Sequence, residues 1–104
     1  MPRSLLIVED EVIIRNSLAE FLTDEGYDVV TAGNVATALQ HARQRDFQVA
    51  VCDVQLPDGD GLALLRRLQQ LNRSVSGLII TAYATVENAV EALQSGAFDY
   101  LVKP

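Results

Sequence analysis

With 104 residues, 49% of them hydrophobic and 21% charged, the chain has the size and composition of one compact domain rather than a disordered segment. Its apolar runs of four or five residues are far shorter than the roughly 20 residues that cross a bilayer, which argues against a membrane span. The net charge of −6 argues against direct nucleic-acid contact, because that contact needs Lys and Arg to neutralise phosphates.

Short apolar runs recur along the chain and predict five β-strands. They lie near residues 4–8, 28–32, 48–52, 77–80 and 99–102. The segments between them have the apolar spacing of helices. Strands that alternate with helices predict right-handed βαβ units and a parallel sheet covered on both faces. The predicted fold class is therefore α/β, a doubly wound five-stranded parallel sheet with the order 2-1-3-4-5 of flavodoxin-like folds.

Each predicted helix has its own start or stop signals. In the first helix an apolar stripe recurs at helical spacing before the stop signal Gly26, and it consists of Ile14, Leu18, Phe21 and Leu22. Asn34 is the predicted N-cap of the second helix, and Asp60 caps the third. Thr85 and Gly96 bound the predicted fourth helix.

Acidic residues follow two of the apolar strands at the point where each strand ends. Glu9 and Asp10 follow the first strand, and Asp53 follows the third. In the predicted order these strands are neighbours, so the three carboxylates meet at the crevice where open α/β sheets bind ligands. Like charges at about 4 Å repel by roughly 4 kcal/mol at an effective dielectric near 20, and a hard divalent cation such as Mg²⁺ relieves that repulsion. Lys103, after the last strand, supplies a positive charge for a phosphoryl oxygen or a carboxylate.

Four motifs in order give the chain a family resemblance. They are VEDE at 8–11, DVQLPDGDG at 53–61, TA at 81–82 and GAFDYLVKP at 96–104. Together they resemble the receiver domain of two-component response regulators over the whole chain. The stretch at 81–89 is similar to receivers of enhancer-binding transcription activators.

The resemblance implies a role for each site residue. Asp53 would be the phosphoacceptor, taking a phosphoryl group from a histidine kinase with Mg²⁺. The implied metal ligands are the carboxylates of Asp10 and Asp53, the backbone carbonyl of Gln55, and Glu9 through a water. The residues implied in phosphate binding and switching are Thr81, Ala82, Tyr100 and Lys103. Pro57 and Gly61 are expected to shape the loop after Asp53.

The implied function is a signalling switch, with self-catalysed phosphotransfer and slow autodephosphorylation but no other enzymatic activity. The implied partners are a sensor histidine kinase and an output domain in a longer parent protein. The single cysteine, Cys52, is typical of the reducing cytoplasm. Receivers normally carry a fifth helix, so we expect domain 1–104 to lack its last helix and either to recruit another chain or to self-associate through the uncovered sheet face. The alternative surface for a homodimer is helix four with strand five.

One alternative stays open, a receiver-like scaffold that binds partners without being phosphorylated. Three other readings fit less well. A flavin binder needs a phosphate loop where Glu9 and Asp10 stand, and a haloacid-type phosphatase needs an acid where Gln55 stands. An EF-hand calcium loop fails because Pro57 takes a ligand position and Asp58 takes the place of glycine.

Overall fold

A sheet of five parallel strands forms the centre of the molecule. The structure is a computed structural model that describes residues 3–72, 74–81 and 97–102, with residues 81 and 97–102 described as backbone. The strands of the sheet are β1 (Ser4–Val8), β2 (Asp28–Ala32), β3 (Val49–Asp53), β6 (Ser76–Thr81) and β7 (Ala97–Val102). Their order is β2-β1-β3-β6-β7, and each neighbouring pair is parallel. Two further strands, β4 (Gln55–Leu56) and β5 (Gly59–Asp60), form a separate antiparallel hairpin. β6 and β7 are therefore the fourth and fifth strands of the main sheet, and the predicted order 2-1-3-4-5 is confirmed.

Three helices join successive strands in the described ranges. They are α1 (Val12–Asp24), α2 (Val35–Gln44) and α3 (Gly61–Leu71). Gly26 follows α1 with a φ of 98°, a left-handed conformation that glycine adopts without the penalty of a Cβ atom. The predicted fourth helix, from Thr85 to Gly96, lies outside the described residues. Within the described ranges, no helix combines the length and the apolar character that a membrane crossing requires.

Two helices begin at the predicted N-caps. The Asn34 side-chain oxygen accepts a hydrogen bond from the Thr37 amide at 2.8 Å. The Asp60 carboxylate accepts one from the Leu62 amide, also at 2.8 Å. These side chains take up backbone donors that have no partner inside the helix, so both predictions are confirmed.

Apolar clusters cover both faces of the sheet, because successive side chains of a strand point to opposite faces. Along β1, Leu6 and Val8 join the larger cluster with α2 and α3. Leu5 and Ile7 join the smaller cluster, against which Leu18 and Leu22 of α1 pack. The side chains of β1 are therefore buried from both sides, and those of β3 follow the same pattern.

Helix α1 is only partly buried against the sheet. It contains no fully buried residue, and Phe21 is 59% exposed. The expectation that Phe21 belongs to the apolar stripe was wrong. At 3.6 residues per turn, the half-buried face centred near Leu18 and Leu22 lies about 90° around the helix from Phe21. Self-association through this side of the sheet stays a prediction.

Candidate functional site

Sheet register brings the acidic residues of β1 and β3 together. Val8 pairs with Cys52 across the two strands, so Glu9 and Asp53 occupy the next position on each. One carboxylate oxygen from each of Glu9, Asp10 and Asp53 lies within 4.8 Å of the others. The structure therefore gathers the three predicted carboxylates into one acidic cluster at the carboxyl edge of the sheet.

The acidic cluster is closed on one side and open on the other. Glu9 is 0% exposed and Asp53 is 6% exposed, whereas Asp10 is exposed to solvent. Backbone amides contribute partial positive charge to it. Glu9 Oε1 accepts from the Glu11 amide at 3.4 Å, and Asp53 Oδ1 accepts from the Gln55 amide at 3.2 Å. Buried carboxylates are stable when they are paired or coordinate a metal, and a donor set of oxygens with one open side fits Mg²⁺, which keeps several waters.

The loop between β1 and α1 is held by backbone contacts. The Glu9 amide donates to the Ala32 carbonyl at 3.0 Å, at the end of β2. The Glu9 carbonyl accepts from Arg15 Nη1 at 3.1 Å. Sequence reasoning missed Arg15, because a hydrogen bond from a side chain to a backbone carbonyl leaves no residue-type signal at the carbonyl.

The loop after Asp53 folds into the β4–β5 hairpin, with Pro57 in its turn. At the end of the hairpin, the Gly61 amide donates to the Val54 carbonyl at 2.8 Å. A Cβ atom on Gly61 would overlap the Asp53 carbonyl oxygen and lie 3.1 Å from the Val54 Cα atom. The start of α3 thus lies directly against the backbone of Asp53, which is possible because residue 61 is a glycine.

The remaining predicted site residues are described in part. Thr81 ends β6, one position beyond Ile80, which is paired with Asp53, so its backbone reaches the edge that holds the acidic cluster. Tyr100 lies in β7 and is paired with Ile79. Ala82 and Lys103 lie outside the described residues, so the contact between Lys103 and Asp53 stays a prediction.

A second residue that sequence reasoning missed is Asp58, in the turn of the hairpin. Its carboxylate accepts from the Val35 amide at 2.8 Å and from the Ala36 amide at 3.1 Å. Asp beside Pro57 and Gly59 is typical of a turn, where its side chain bonds amides close in sequence. These partners lie more than twenty residues away, and the turn composition carries no signal for them.

Cys52 directly precedes Asp53 in β3 and is 0% exposed. Burial raises the pKa of its thiol to about 12, and the charge of Asp53 adds to the increase. The thiolate is the reactive form of cysteine, so this residue is a packing residue with little reactivity in the folded protein.

We expect the Cys52 thiol to resist alkylation or disulfide exchange in the folded protein. Because burial raises the pKa of the thiol, little of it is ionised near pH 8, and burial also blocks access to it. Labelling followed by mass spectrometry should proceed at the rate of global unfolding and become fast in denaturant. Rapid labelling without denaturant would contradict the buried position.

Comparisons with known proteins agree with one another. The family model for the response regulator receiver domain matches residues 5–104. The transcriptional regulatory protein ZraR of Escherichia coli O157:H7 is 42% identical over 100 residues, which cover 96% of this chain and 23% of that protein. This chain thus spans less than a quarter of the length of that curated relative.

Two solved structures show the same fold. The CheY-like response regulator receiver domain protein of Methanospirillum hungatei JF-1 superposes with a TM-score of 0.94 and 34% identity, covering 100% of this chain and 83% of that chain. A response regulator of Burkholderia pseudomallei, solved with a phosphorylated aspartic acid, a calcium ion and citrate, superposes with a TM-score of 0.93. It is 33% identical, over 98% of this chain and 60% of that chain.

Proposed function

Because the chain belongs to the response regulator receiver domain family, we propose that Asp53 accepts a phosphoryl group from a phosphohistidine of a sensor histidine kinase. The observation that carries this proposal is the acidic cluster, in which Asp53 lies within 4.8 Å of Glu9 and Asp10 at a solvent-open edge. The phosphorylated aspartic acid of the Burkholderia pseudomallei relative supports the same chemistry in a neighbouring structure.

The transfer itself is a displacement at phosphorus. An Asp53 carboxylate oxygen forms a bond to the phosphorus atom while the bond between phosphorus and the imidazole nitrogen of the donor breaks. The products are an acyl phosphate and a histidine whose imidazole takes up a proton. Such a reaction depends on positioning and on neutralisation of charge, with little covalent work for the protein. The Gln55 amide, which donates to Asp53 Oδ1 at 3.2 Å, helps to orient the attacking carboxylate.

We propose that the cluster holds Mg²⁺ through Asp10, Asp53 and the Gln55 carbonyl, with Glu9 acting through a water. The ion would neutralise negative charge on the phosphoryl oxygens during transfer. The burial of Glu9 supports this assignment, since buried carboxylates are stable when they are paired or lie near a metal ion.

The switch would use residues at the edges of β6 and β7. In this proposal Thr81 and the Ala82 amide bond the new phosphate, Lys103 pairs with its oxygens, and Tyr100 changes its packing. A few charge-assisted hydrogen bonds supply much of the roughly 5.5 kcal/mol that turns a mostly inactive population into a mostly active one.

The chain would act as the receiver part of a longer regulator, because its curated relative is more than four times as long. The proposed output is transcriptional regulation, in the cytoplasm, with the DNA contacts made by another domain. Dimerisation through helix four and strand five belongs to the same proposal. The alternative is a scaffold of the same fold that is never phosphorylated.

Intact mass spectrometry distinguishes these two functions. After incubation with Mg²⁺ and a small phosphodonor, we expect the chain to gain one phosphoryl group. Borohydride reduces an aspartyl phosphate to homoserine, and peptide mapping should find the homoserine at position 53. A folded sample that gains no mass would reject the proposal and favour the scaffold. Modification at another residue would reject both Asp53 as the acceptor and the unphosphorylated scaffold.

A further inference from the structure

The turn of the β4–β5 hairpin is bonded to the first turn of α2. The two carboxylate oxygens of Asp58 accept from consecutive amides, Val35 at 2.8 Å and Ala36 at 3.1 Å. The Val35 amide, and then the Ala36 amide, hold the pKa of Asp58 below its ordinary value. The carboxylate is therefore ionised at neutral pH, and both hydrogen bonds are charge-assisted.

A second contact supports the same docking. The hairpin approaches α2 so closely that a Cβ atom on Gly59 would lie 3.1 Å from Val35 Cγ2. The helix also has its own cap, because Asn34 accepts from the Thr37 amide within α2. Helix α2 is thus capped without Asp58, and the hydrogen bonds of Asp58 connect α2 to the hairpin.

The segment 32–36 is joined in turn to the loop that carries Glu9 and Asp10. The Ala32 carbonyl accepts from the Glu9 amide at 3.0 Å. Arg15, whose Nη1 donates to the Glu9 carbonyl, lies so close to Gly33 that a Cβ atom there would be 2.7 Å from Nη1. The same short segment therefore contacts both loops that supply the acidic cluster.

We propose that Asp58 is a positioning residue, which holds the hairpin against segment 32–36 and so sets the position of the hairpin loop, with its Gln55 carbonyl, relative to the Glu9–Asp10 loop. The inference rests on the proposed function, in which these two loops hold Mg²⁺ together. Removing the Asp58 carboxylate deletes no metal-binding oxygen but releases the hairpin from segment 32–36. The ion then has to order the loops as it binds, and its affinity falls.

Asp58→Ala and Asn34→Ala form a matched pair that tests this role. Each variant removes a side-chain acceptor from the first turn of α2, but Asp58→Ala alone releases the hairpin. We expect Asp58→Ala to raise the Mg²⁺ dissociation constant about tenfold, the lower end of the effect seen for residues that orient metal ligands. Asn34→Ala should leave it within about twofold, while lowering stability by about 1 kcal/mol as the loss of a cap does.

Two measurements separate positioning from stability. Mg²⁺ affinity is read from backbone amide NMR shifts, and the rate of phosphoryl uptake from a small phosphodonor is measured as a function of Mg²⁺ concentration. For Asp58→Ala, we expect the rate at saturating Mg²⁺ to stay within about twofold of wild type, because the metal-binding oxygens themselves are unchanged. Asp58→Asn retains one acceptor oxygen, so its Mg²⁺ affinity should be intermediate. It also provides the test if the alanine variant does not fold.

Wild-type Mg²⁺ affinity in a folded Asp58→Ala or Asp58→Asn sample would overturn the inference, as would an equal loss of affinity in Asn34→Ala. A different result would reject the proposed function, namely a wild-type protein that gains no phosphoryl group. In that case the Mg²⁺ titration of the same variants still decides whether Asp58 sets the position of the hairpin loop.

Discussion

We expect Asp53→Asn to gain no phosphoryl group under conditions in which the wild-type chain gains one. The amide that replaces the carboxylate is a poor nucleophile and cannot form an acyl phosphate. The substitution preserves shape, and the asparagine oxygen can still accept from the Gln55 amide that lies 3.2 Å from Asp53 Oδ1 in the wild type. The rate of phosphoryl uptake should therefore fall at least about a hundredfold, so that no added mass is detected, as expected when a covalent nucleophile is removed. Intact mass after incubation with Mg²⁺ and a small phosphodonor measures it.

A control for charge uses Asp24→Asn, at the exposed end of α1. It changes the net charge by the same amount as Asp53→Asn and lies outside the acidic cluster, so uptake should match the wild type. Equal uptake in Asp53→Asn and wild type would exclude Asp53 as the acceptor and require another nucleophile.

Among glycine-to-alanine changes at the described glycines, Gly61→Ala should produce the largest loss of stability. The added Cβ atom would overlap the Asp53 carbonyl oxygen, and backbone atoms cannot rotate away as a side chain can. The start of α3 would have to move, breaking the hydrogen bond from the Gly61 amide to the Val54 carbonyl. Overpacking of this kind costs about 3 kcal/mol or more, a large part of the net stability of a typical domain. Denaturant unfolding followed by far-ultraviolet circular dichroism gives the change in the free energy of unfolding.

Gly26→Ala is the matched glycine control. No atom lies within 4 Å of a Cβ built at Gly26, so the variant adds backbone strain at a φ of +98° without a clash. Its cost should be about 1 kcal/mol, that of a left-handed conformation for alanine. A loss in Gly61→Ala no larger than that in Gly26→Ala would show that the backbone of residues 53–54 yields easily.

The sheet and most of its site could be predicted because they depend on local patterns. Buried parallel strands appear in the sequence as apolar runs, and residues that follow neighbouring strands must meet at one edge. The sequence alone predicts that Glu9, Asp10 and Asp53 lie together, and in the structure one oxygen of each lies within 4.8 Å of the others. The N-caps Asn34 and Asp60 could be predicted for the same reason, since each accepts a hydrogen bond from an amide within three residues.

What the sequence could not supply are contacts between distant segments. The bonds from Asp58 to α2 span more than twenty residues, and their donors are backbone amides, which every residue except proline has. The close approach of Gly61 to Asp53 depends on the path of the hairpin between them. The exposure of Phe21 depends on how α1 is rotated on the sheet, which apolar spacing defines poorly when the stripe is short.

Because β1 and β3 are central strands of the sheet, we expect the residues at their ends to be exposed by local opening only rarely. Both strands have neighbours on each side, and their side chains are buried on each face of the sheet. Central strands of this kind open to hydrogen exchange through global unfolding, whereas loosely packed elements open by themselves. Helix α1, which has no fully buried residue, can fray on a faster timescale while these two strands stay closed. We therefore expect Glu9 and Asp53 to be attached to the slowest-exchanging strands among the described residues.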